Sequence, residues 1–286
     1  MIFENIVDRK NIWDGLYKAY KNNRIPNAYI FFGEEGTGKE ALSIELAGLL
    51  NCKRPTSNLN ACGSCRSCIS AKSFQHEDIH FIHPLPRSKS SSKSNNIDSK
   101  VLEELNNNYK KKAKEPYHKI KIANSNTISI DSIRGIKKKL FLSKSDENWS
   151  VVIIFDAEKL CIPKAEPANA LLKILEEPPS KTLFILITSK MNLMIPTIQS
   201  RCQKIFFSNF SSQEIKRYAE EYGYEYNSDE AAIQMGNGSI SNFINITNNE
   251  TVENMKSLTK TFYNKNINRF EDTLSFFNDI KSKNKD

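Results

Sequence analysis

The stretch Gly33-Glu34-Glu35-Gly36-Thr37-Gly38-Lys39 decides the fold. An apolar run at 29–32 precedes it, and a helix-like run at 41–47 follows it. A strand, a glycine-rich turn, a lysine and a helix in this order are the layout of a P-loop, whose backbone N–H groups and helix N-terminus bind phosphate. Gly33, Gly36, Gly38 and Lys39 are therefore candidate nucleotide-binding residues, and Lys39 stands where the loop's lysine reaches the terminal phosphates.

The residue after the lysine departs from the motif of an active nucleotidase. A P-loop needs Ser or Thr there because the hydroxyl ligates the Mg²⁺ that bridges the phosphates, whereas this chain has Glu40. A glutamate is longer and brings negative charge beside a polyphosphate. The pattern predicts phosphate-loop ancestry and argues against ordinary Mg-ATP hydrolysis, and it leaves open whether ATP and Mg²⁺ still bind.

Composition limits the class of protein. A chain of 286 residues can hold two or more domains. No apolar run reaches the roughly 18 residues of a membrane span, and no signal-like leader is present, so we expect a cytoplasmic protein that does not bind membranes. The net charge of +8 fits proximity to nucleic acid or another acidic partner. A solvated helix face explains clusters such as Lys110-Lys111-Lys112 at least as well.

Four cysteines follow the first predicted helix with the spacing C-x9-C-x2-C-x2-C: Cys52, Cys62, Cys65 and Cys68. Four soft ligands at this spacing suit a closed tetrahedral Zn²⁺ site. Two disulfides are disfavoured in a reducing cytosol, and an iron–sulfur cluster shares the ligand set. Zinc is the favoured interpretation, and its role is predicted to be structural because four protein ligands leave no open position for catalysis.

Further apolar runs predict the rest of a buried parallel sheet in a doubly wound α/β fold. With the first run, the predicted strands are 29–32, 79–82, 151–155, 183–188 and 204–207. Asp156 follows the third strand at the carboxyl end, where open α/β sheets bind ligands. It suits the carboxylate that holds Mg²⁺ in P-loop proteins.

The remaining segments are predicted from composition and capping signals. Residues 84–118 are polar and biased, which predicts a partly flexible surface insertion containing a basic helix-like run. Ser211-x-x-Glu214 is a capping-box pattern that opens the first of three short helices. His76, His80 and His83 are expected to be solvated or capping histidines rather than metal ligands.

Three further motifs carry a resemblance. The first precedes the P-loop and reads Arg24-Ile25-Pro26-Asn27-Ala28-Tyr29. The second predicts a helix that two prolines end, and it reads Ala168-Asn169-Ala170-Leu171-Leu172-Lys173-Ile174-Leu175-Glu176-Glu177-Pro178-Pro179. The third is Ser200-Arg201-Cys202. With the cysteine module, they make the chain resemble clamp-loader subunits of bacterial DNA polymerase III, in the AAA+ class, and most closely the delta-prime type. The resemblance covers about residues 1–246.

The resemblance implies an architecture. The strand order would be 5-1-4-3-2, in a nucleotide-binding-like domain at 1–207 that carries a zinc module at 51–70. A helical lid would occupy 208–247, and a partial C-terminal helical collar 248–286. By the same resemblance, Arg201 would be an arginine finger that reaches in trans to ATP on a neighbouring subunit, and Thr188 would be the sensor-1 residue that orients water and the γ-phosphate.

Three departures separate this chain from the motor, gamma/tau-like subunits. Glu40 stands where those subunits have Thr or Ser, Ala157 where they have the water-polarising Glu, and Ser241 where they have a lid Arg. Three losses with Arg201 retained describe a stator with little or no hydrolysis of its own. The alternative is an active motor-type ATPase in which Glu40 or Glu158 acts as a surrogate.

The expected partners follow from the same resemblance. They are other clamp-loader subunits of the gamma/tau and delta types and, through the complex, the sliding clamp and primer-template DNA. The chain would thus be an accessory subunit of a DNA polymerase holoenzyme. A weaker third interpretation is a zinc-dependent DNA-binding module at 50–70, a segment with few basic and no aromatic residues.

Overall fold

A five-stranded parallel sheet forms the centre of the computed structural model, which describes residues 1–7, 9–56, 60–86, 98–142, 148–224 and 230–248. The strands run in the order β2-β3-β4-β1-β5. This is the expected 5-1-4-3-2 order counted from the other edge, so that prediction is confirmed. The strands are β1 (Ala28–Phe32), β2 (Ile79–Ile82), β3 (Ser150–Ile154), β4 (Thr182–Thr188) and β5 (Gln203–Phe206).

Helices cover both faces of the sheet, because successive residues of the central strands point to opposite sides. On β3, Val151 and Ile153 join one buried cluster, and Val152 and Ile154 join the other. Both faces are apolar, as expected for a parallel sheet buried on two sides. The helices are α1 (Lys10–Lys21), α2 (Lys39–Asn51), α3 (Arg66–Lys72), α4 (Ser99–Lys114), α5 (Ile130–Leu142), α6 (Glu166–Glu176), α7 (Pro196–Arg201), α8 (Ser212–Glu221), α9 (Glu230–Met235) and α10 (Ile240–Asn248).

The helices divide between the two faces according to their buried side chains. The cluster on one face contains residues of α1, α2 and α3, and the cluster on the other contains residues of α5, α6 and α7. None of the described helices is both long and apolar enough to cross a membrane.

Helices α8 to α10 pack around a third apolar cluster. The predicted capping box is present, since Ser211 Oγ accepts from the Glu214 N–H and the Glu214 carboxylate accepts from the Ser211 N–H. Phe243 of α10 is fully buried in this cluster. We call α8 to α10 the lid. The domain bounds at 207 and 247 stay a prediction, and the expected collar helices lie outside the described residues.

The predicted insertion contains α4, most of whose residues are exposed or half-buried, and two of its side chains contact the rest of the domain. Tyr109 stacks on Phe74 with ring centroids 4.4 Å apart and lies 6.1 Å from the ring of Phe81 in the edge strand β2, so it packs α4 against this edge of the sheet. Lys112 is only 1% exposed. His83 is buried too, stacked 4.3 Å from Phe155, and not solvated as expected. The local sequence is polar, and the burial depends on partners distant in the chain: Glu40 for Lys112 and Phe155 for His83.

A buried carboxylate attaches residues 2 and 3 to α2. Glu45 is fully buried, and its two oxygens accept from the backbone N–H groups of Ile2 (2.9 Å) and Phe3 (2.7 Å). Gly48 lies one turn further along α2, where a Cβ would come within 1.9 Å of the Ile2 side chain. The close approach and the two hydrogen bonds together fix this segment on the helix.

We expect Glu45→Ala to destabilise the protein, because two buried N–H groups lose their acceptor. Each such group costs roughly 1–3 kcal/mol. Urea denaturation followed by circular dichroism measures the loss. The matched control is Glu77→Ala, at an exposed position, which should change stability little; equal effects of the two substitutions would contradict the assigned role of Glu45.

Candidate functional site

The P-loop connects β1 to α2 at the carboxyl edge of the sheet. Gly36 has φ +72°, a conformation that non-glycine residues rarely adopt, and a Cβ there would lie 2.2 Å from Ser239 Oγ of the lid. The Ile240 N–H at the start of α10 donates to the Gly36 carbonyl over 3.2 Å. The lid therefore lies directly on the loop, and only glycine permits this approach.

Lys39 folds back on the loop instead of projecting into open space. It is 5% exposed, and its Nζ donates to the carbonyls of Gly33 (2.6 Å) and Glu34. Burial lowers the pKa of Lys39 to about 8. The residue expected to hold terminal phosphates thus has its donors on the loop's own backbone.

Glu40 forms a buried ion pair with Lys112 at the C-terminal end of α4. The Lys112 ammonium contacts Glu40 Oε2 and also donates to the carbonyls of Pro116 (3.1 Å) and His118 (2.7 Å), so all three of its N–H donors have partners. Lys119 lies 3.4 Å from the other Glu40 oxygen. Burial alone would raise the pKa of Glu40, but the charges of Lys112 and Lys119 outweigh it and lower this pKa to about 2.

Asp156 lies two residues after the end of β3, at the predicted carboxyl edge of the sheet, and it is paired with two lysines. Lys119 Nζ lies 2.5 Å from Asp156 Oδ1, and Lys159 Nζ lies 3.5 Å from Oδ2. Burial would lower the pKa of Lys119, but Glu40 and Asp156 outweigh it and raise that pKa. Both carboxylates near which Mg²⁺ would be expected therefore carry an ammonium partner from this chain.

Little space remains at the loop. The cavity bounded by Gly38, Lys112, Tyr117, Lys119 and Asp156 has a volume of about 30 Å³. A single water needs at least roughly 10–15 Å³ on this measure, and sites for small molecules typically measure about 300–1,000 Å³. In this arrangement the site has room for water but none for a triphosphate.

Thr188 ends β4 beside the loop, where the sensor-1 residue was expected. It is buried, and its Oγ1 donates to Glu158 Oε2 over 2.6 Å. Glu158 is 4% exposed, in the short 3₁₀ turn after Asp156. The proposed surrogate base thus accepts a hydrogen bond from Thr188. Whether Thr188 acts as a sensor stays a prediction.

Arg201 lies apart from the loop, at the end of α7. Its guanidinium donates to Glu176 Oε1 (2.7 Å) and to the Thr197 carbonyl (3.1 Å), and the side chain is 37% exposed. It is not among the described residues that line the P-loop cavity. Its only acidic partner in the described part of the chain, Glu176, is itself half exposed.

The four cysteines come together as the spacing predicts. Their Sγ atoms all lie within 4.8 Å of one another, including Cys62–Cys68 at 3.9 Å and Cys65–Cys68 at 3.4 Å. A tetrahedral site with Zn–S bonds of 2.3 Å has sulfur atoms about 3.8 Å apart. Cys65 also caps the N-terminus of α3. The donor set therefore fits a structural Zn²⁺ held by Cys52, Cys62, Cys65 and Cys68.

Sequence reasoning missed Lys112, Lys119 and Glu176. One signal in the sequence was Glu40 itself, a carboxylate at the start of a helix that a buried parallel sheet would cover. Buried carboxylates need paired cations. The sequence could have indicated that such a carboxylate requires a cationic partner, but it could not identify which of the 41 lysines and arginines pairs with it.

We expect the purified chain to contain one zinc ion, and Cys68→Ser to lose zinc and lower the melting temperature, since a closed four-cysteine site contributes directly to folding. Elemental analysis and thermal unfolding measure the two effects. Cys161→Ser, outside the cluster, is the control and should retain the metal. Zinc-free native protein, or full zinc occupancy in Cys68→Ser, would refute the assignment.

The pKa of Glu40 sets an expected pH dependence. Because this pKa is about 2 in the folded chain against an ordinary 4.5, the ion pair stabilises the fold fully above pH 4.5. That contribution is lost as the pH falls toward 2, since the unfolded chain takes up the proton first. Acid titration of urea stability should show a shallower decline in Glu40→Gln than in wild type. The exposed control, Glu103→Gln, should follow wild type; identical profiles for all three would count against the pairing.

Comparison with known proteins agrees with this geometry. Residues 8–211 match the family model described as DNA polymerase III, delta subunit. DNA polymerase III subunit tau of Bacillus subtilis is 29% identical over 74% of this chain and 30% of its own length, and subunit delta' of the same organism is 28% identical over 70% and 48%. This chain thus spans about half or less of those relatives.

A solved structure overlaps the chain as well. The gamma subunit-related protein of Thermotoga maritima has a TM-score of 0.47 at 18% identity, over 85% of this chain and 62% of that one. Independently of that overlap, the strand order and the two covered faces confirm the predicted doubly wound parallel sheet. The chain belongs to the DNA polymerase III delta-subunit family of AAA+ clamp-loader subunits.

Proposed function

We propose that the chain is a delta-prime-like stator of the clamp loader. It completes the active site of a neighbouring ATPase subunit with Arg201 and hydrolyses little or no ATP itself. One contrast carries the proposal. The carboxylates at its own P-loop, Glu40 and Asp156, are paired with lysines, whereas Arg201 is 37% exposed at the end of α7.

The chemistry of the guanidinium supports this role. An arginine is charged at every physiological pH and is planar, so it stabilises the charge that develops on a transferring phosphoryl group. The exposed ion pair with Glu176 contributes about 0–1 kcal/mol. A neighbouring triphosphate can therefore compete for Arg201 at little cost to this chain's stability.

The second candidate is a gamma/tau-like ATPase, since a relative of that type matches as well as a delta' relative does. Three features favour the stator: Glu40 replaces the metal-binding hydroxyl, Ala157 replaces the base, and Ser241 replaces the lid arginine. Deleting a general base alone costs about 10²–10⁴-fold in rate. The hydrogen bond from Thr188 to Glu158 also weighs against Glu158 as a surrogate base.

The stator role implies a set of partners. A stator would assemble with gamma/tau-type and delta-type subunits, and through them it would act on the sliding clamp and primer-template DNA in the cytoplasm. The zinc site would stabilise the module beside α2, where Cys65 and Cys68 join the apolar core. That burial supports a structural role for the module and weighs against an independent DNA-binding unit.

We expect negligible ATP turnover by the isolated chain, and stimulation of a gamma/tau-type partner that Arg201→Ala removes. An arginine finger contributes about 10³–10⁵-fold to kcat, so stimulated turnover should fall by at least about 10³-fold while complex formation persists. A coupled phosphate-release assay and gel filtration measure the two. The control is Arg134→Ala, another exposed arginine in an ion pair. Mg-dependent hydrolysis by the isolated chain that Lys39→Ala abolishes would instead establish the motor function.

A further inference from the structure

We propose that residues 112–119 are a built-in occupant of the nucleotide site. The ammonium groups of Lys112 and Lys119 and the ring of Tyr117 fill the site, exclude Mg-ATP and hold the lid on the P-loop without any ligand. We call residues 112–119 the plug. The inference rests on the contacts of the plug and is independent of what Arg201 does.

Two lysines of the plug neutralise the carboxylates at the P-loop. Lys112 contacts one Glu40 oxygen, and Lys119 lies 3.4 Å from the other and 2.5 Å from Asp156. Two fixed monovalent cations thus satisfy the carboxylates that a divalent cation would need. Mg-ATP could bind only by displacing them, and Lys112 is 1% exposed with all its donors paired.

Tyr117 lies between these two lysines in the sequence, and its aromatic ring contacts three parts of the fold. Tyr117 is 4% exposed, and its hydroxyl accepts from the Val7 N–H over 2.9 Å. The ring lies edge-on to Phe210 and Tyr218, with centroids 6.1 and 5.4 Å away. A Cβ on Gly38 would lie 3.7 Å from it. One side chain of the plug therefore contacts the segment before α1, the P-loop and the lid together.

Arg9 makes a second connection between the P-loop and the lid, beside the Tyr117 ring. The Arg9 guanidinium lies 3.6 Å over the Phe210 ring and donates to the carbonyls of Thr37 (3.0 Å) and Ser208 (2.7 Å). It joins the loop to the segment that leads into α8. Arg9 and Tyr117 both contact Phe210, and the remaining cavity of about 30 Å³ is consistent with a filled site.

A filled site has a consequence for the lid. In a P-loop protein that closes on its ligand, the lid contacts depend on nucleotide, because the ligand bridges loop and lid. In this chain, residues of the protein itself connect the loop to the lid. Tyr117 packs against Tyr218 of α8, and the Ile240 N–H donates to the Gly36 carbonyl. The lid should therefore keep one arrangement whether or not ATP is present.

Titration of the full chain with a fluorescent ATP analogue, with and without Mg²⁺, tests the exclusion. Wild type should show no saturable binding. Lys119→Ala removes the nearer of the two lysines paired with Asp156, leaving Lys159 at 3.5 Å, and it opens space in the site. This variant should bind the Mg-bound analogue saturably, at least about tenfold more tightly than the limit that the wild-type titration sets. Lys111→Ala, exposed on the same helix as Lys112, is the control and should behave as wild type. Saturable micromolar binding by wild type, or a folded Lys119→Ala variant that binds no better, would overturn the proposal.

Hydrogen exchange of the lid tests the second half and does not depend on nucleotide binding. Exchange in α8 and α10 of wild type should be unchanged by Mg-ATP. Tyr117→Ala should raise exchange there at least about tenfold, and Tyr117→Phe, which keeps the ring and loses the hydroxyl, should have a smaller effect. Protection of the wild-type lid by Mg-ATP, or unchanged exchange in Tyr117→Ala, would show that the plug does not hold the lid.

Discussion

The ion-pair network at the P-loop is the constraint on which the rest of the site depends. Glu40 and Asp156 each need a cation because a buried carboxylate without a partner is strongly unfavourable. Lys112 and Lys119 supply the cations from α4 and the segment after it. Once those lysines are in place, the loop has neither the charge nor the room for a triphosphate.

That constraint divides the molecule into two electrostatic regions. At the loop, cations and anions are paired internally and shielded by Tyr117 and the lid. At the end of α7, Arg201 remains accessible, with only an exposed glutamate as its acidic partner among the described residues.

The frame itself comes from the sheet and the cysteine cluster. β3 and β4 lie at the centre of the sheet with apolar side chains on both faces, so their carboxyl ends, Asp156 and Thr188, are held beside the P-loop. The cluster at Cys65 and Cys68 continues the core under α2. A small, closed metal site is a compact way to stabilise a segment with few apolar residues of its own.

The sequence alone determined the P-loop, the five strands and their order, the cysteine cluster and the capping box at Ser211. Each of these follows from local spacing, or from the resemblance that the local motifs carry. Only the tertiary structure decided the burial of Lys112, the stacking of His83 on Phe155, and the pairing of Arg201 with Glu176. Glu40 and its lysine partner stand 72 positions apart. No local pattern encodes such a pairing, because the energy that selects one lysine among many arises only when the fold removes both charges from water.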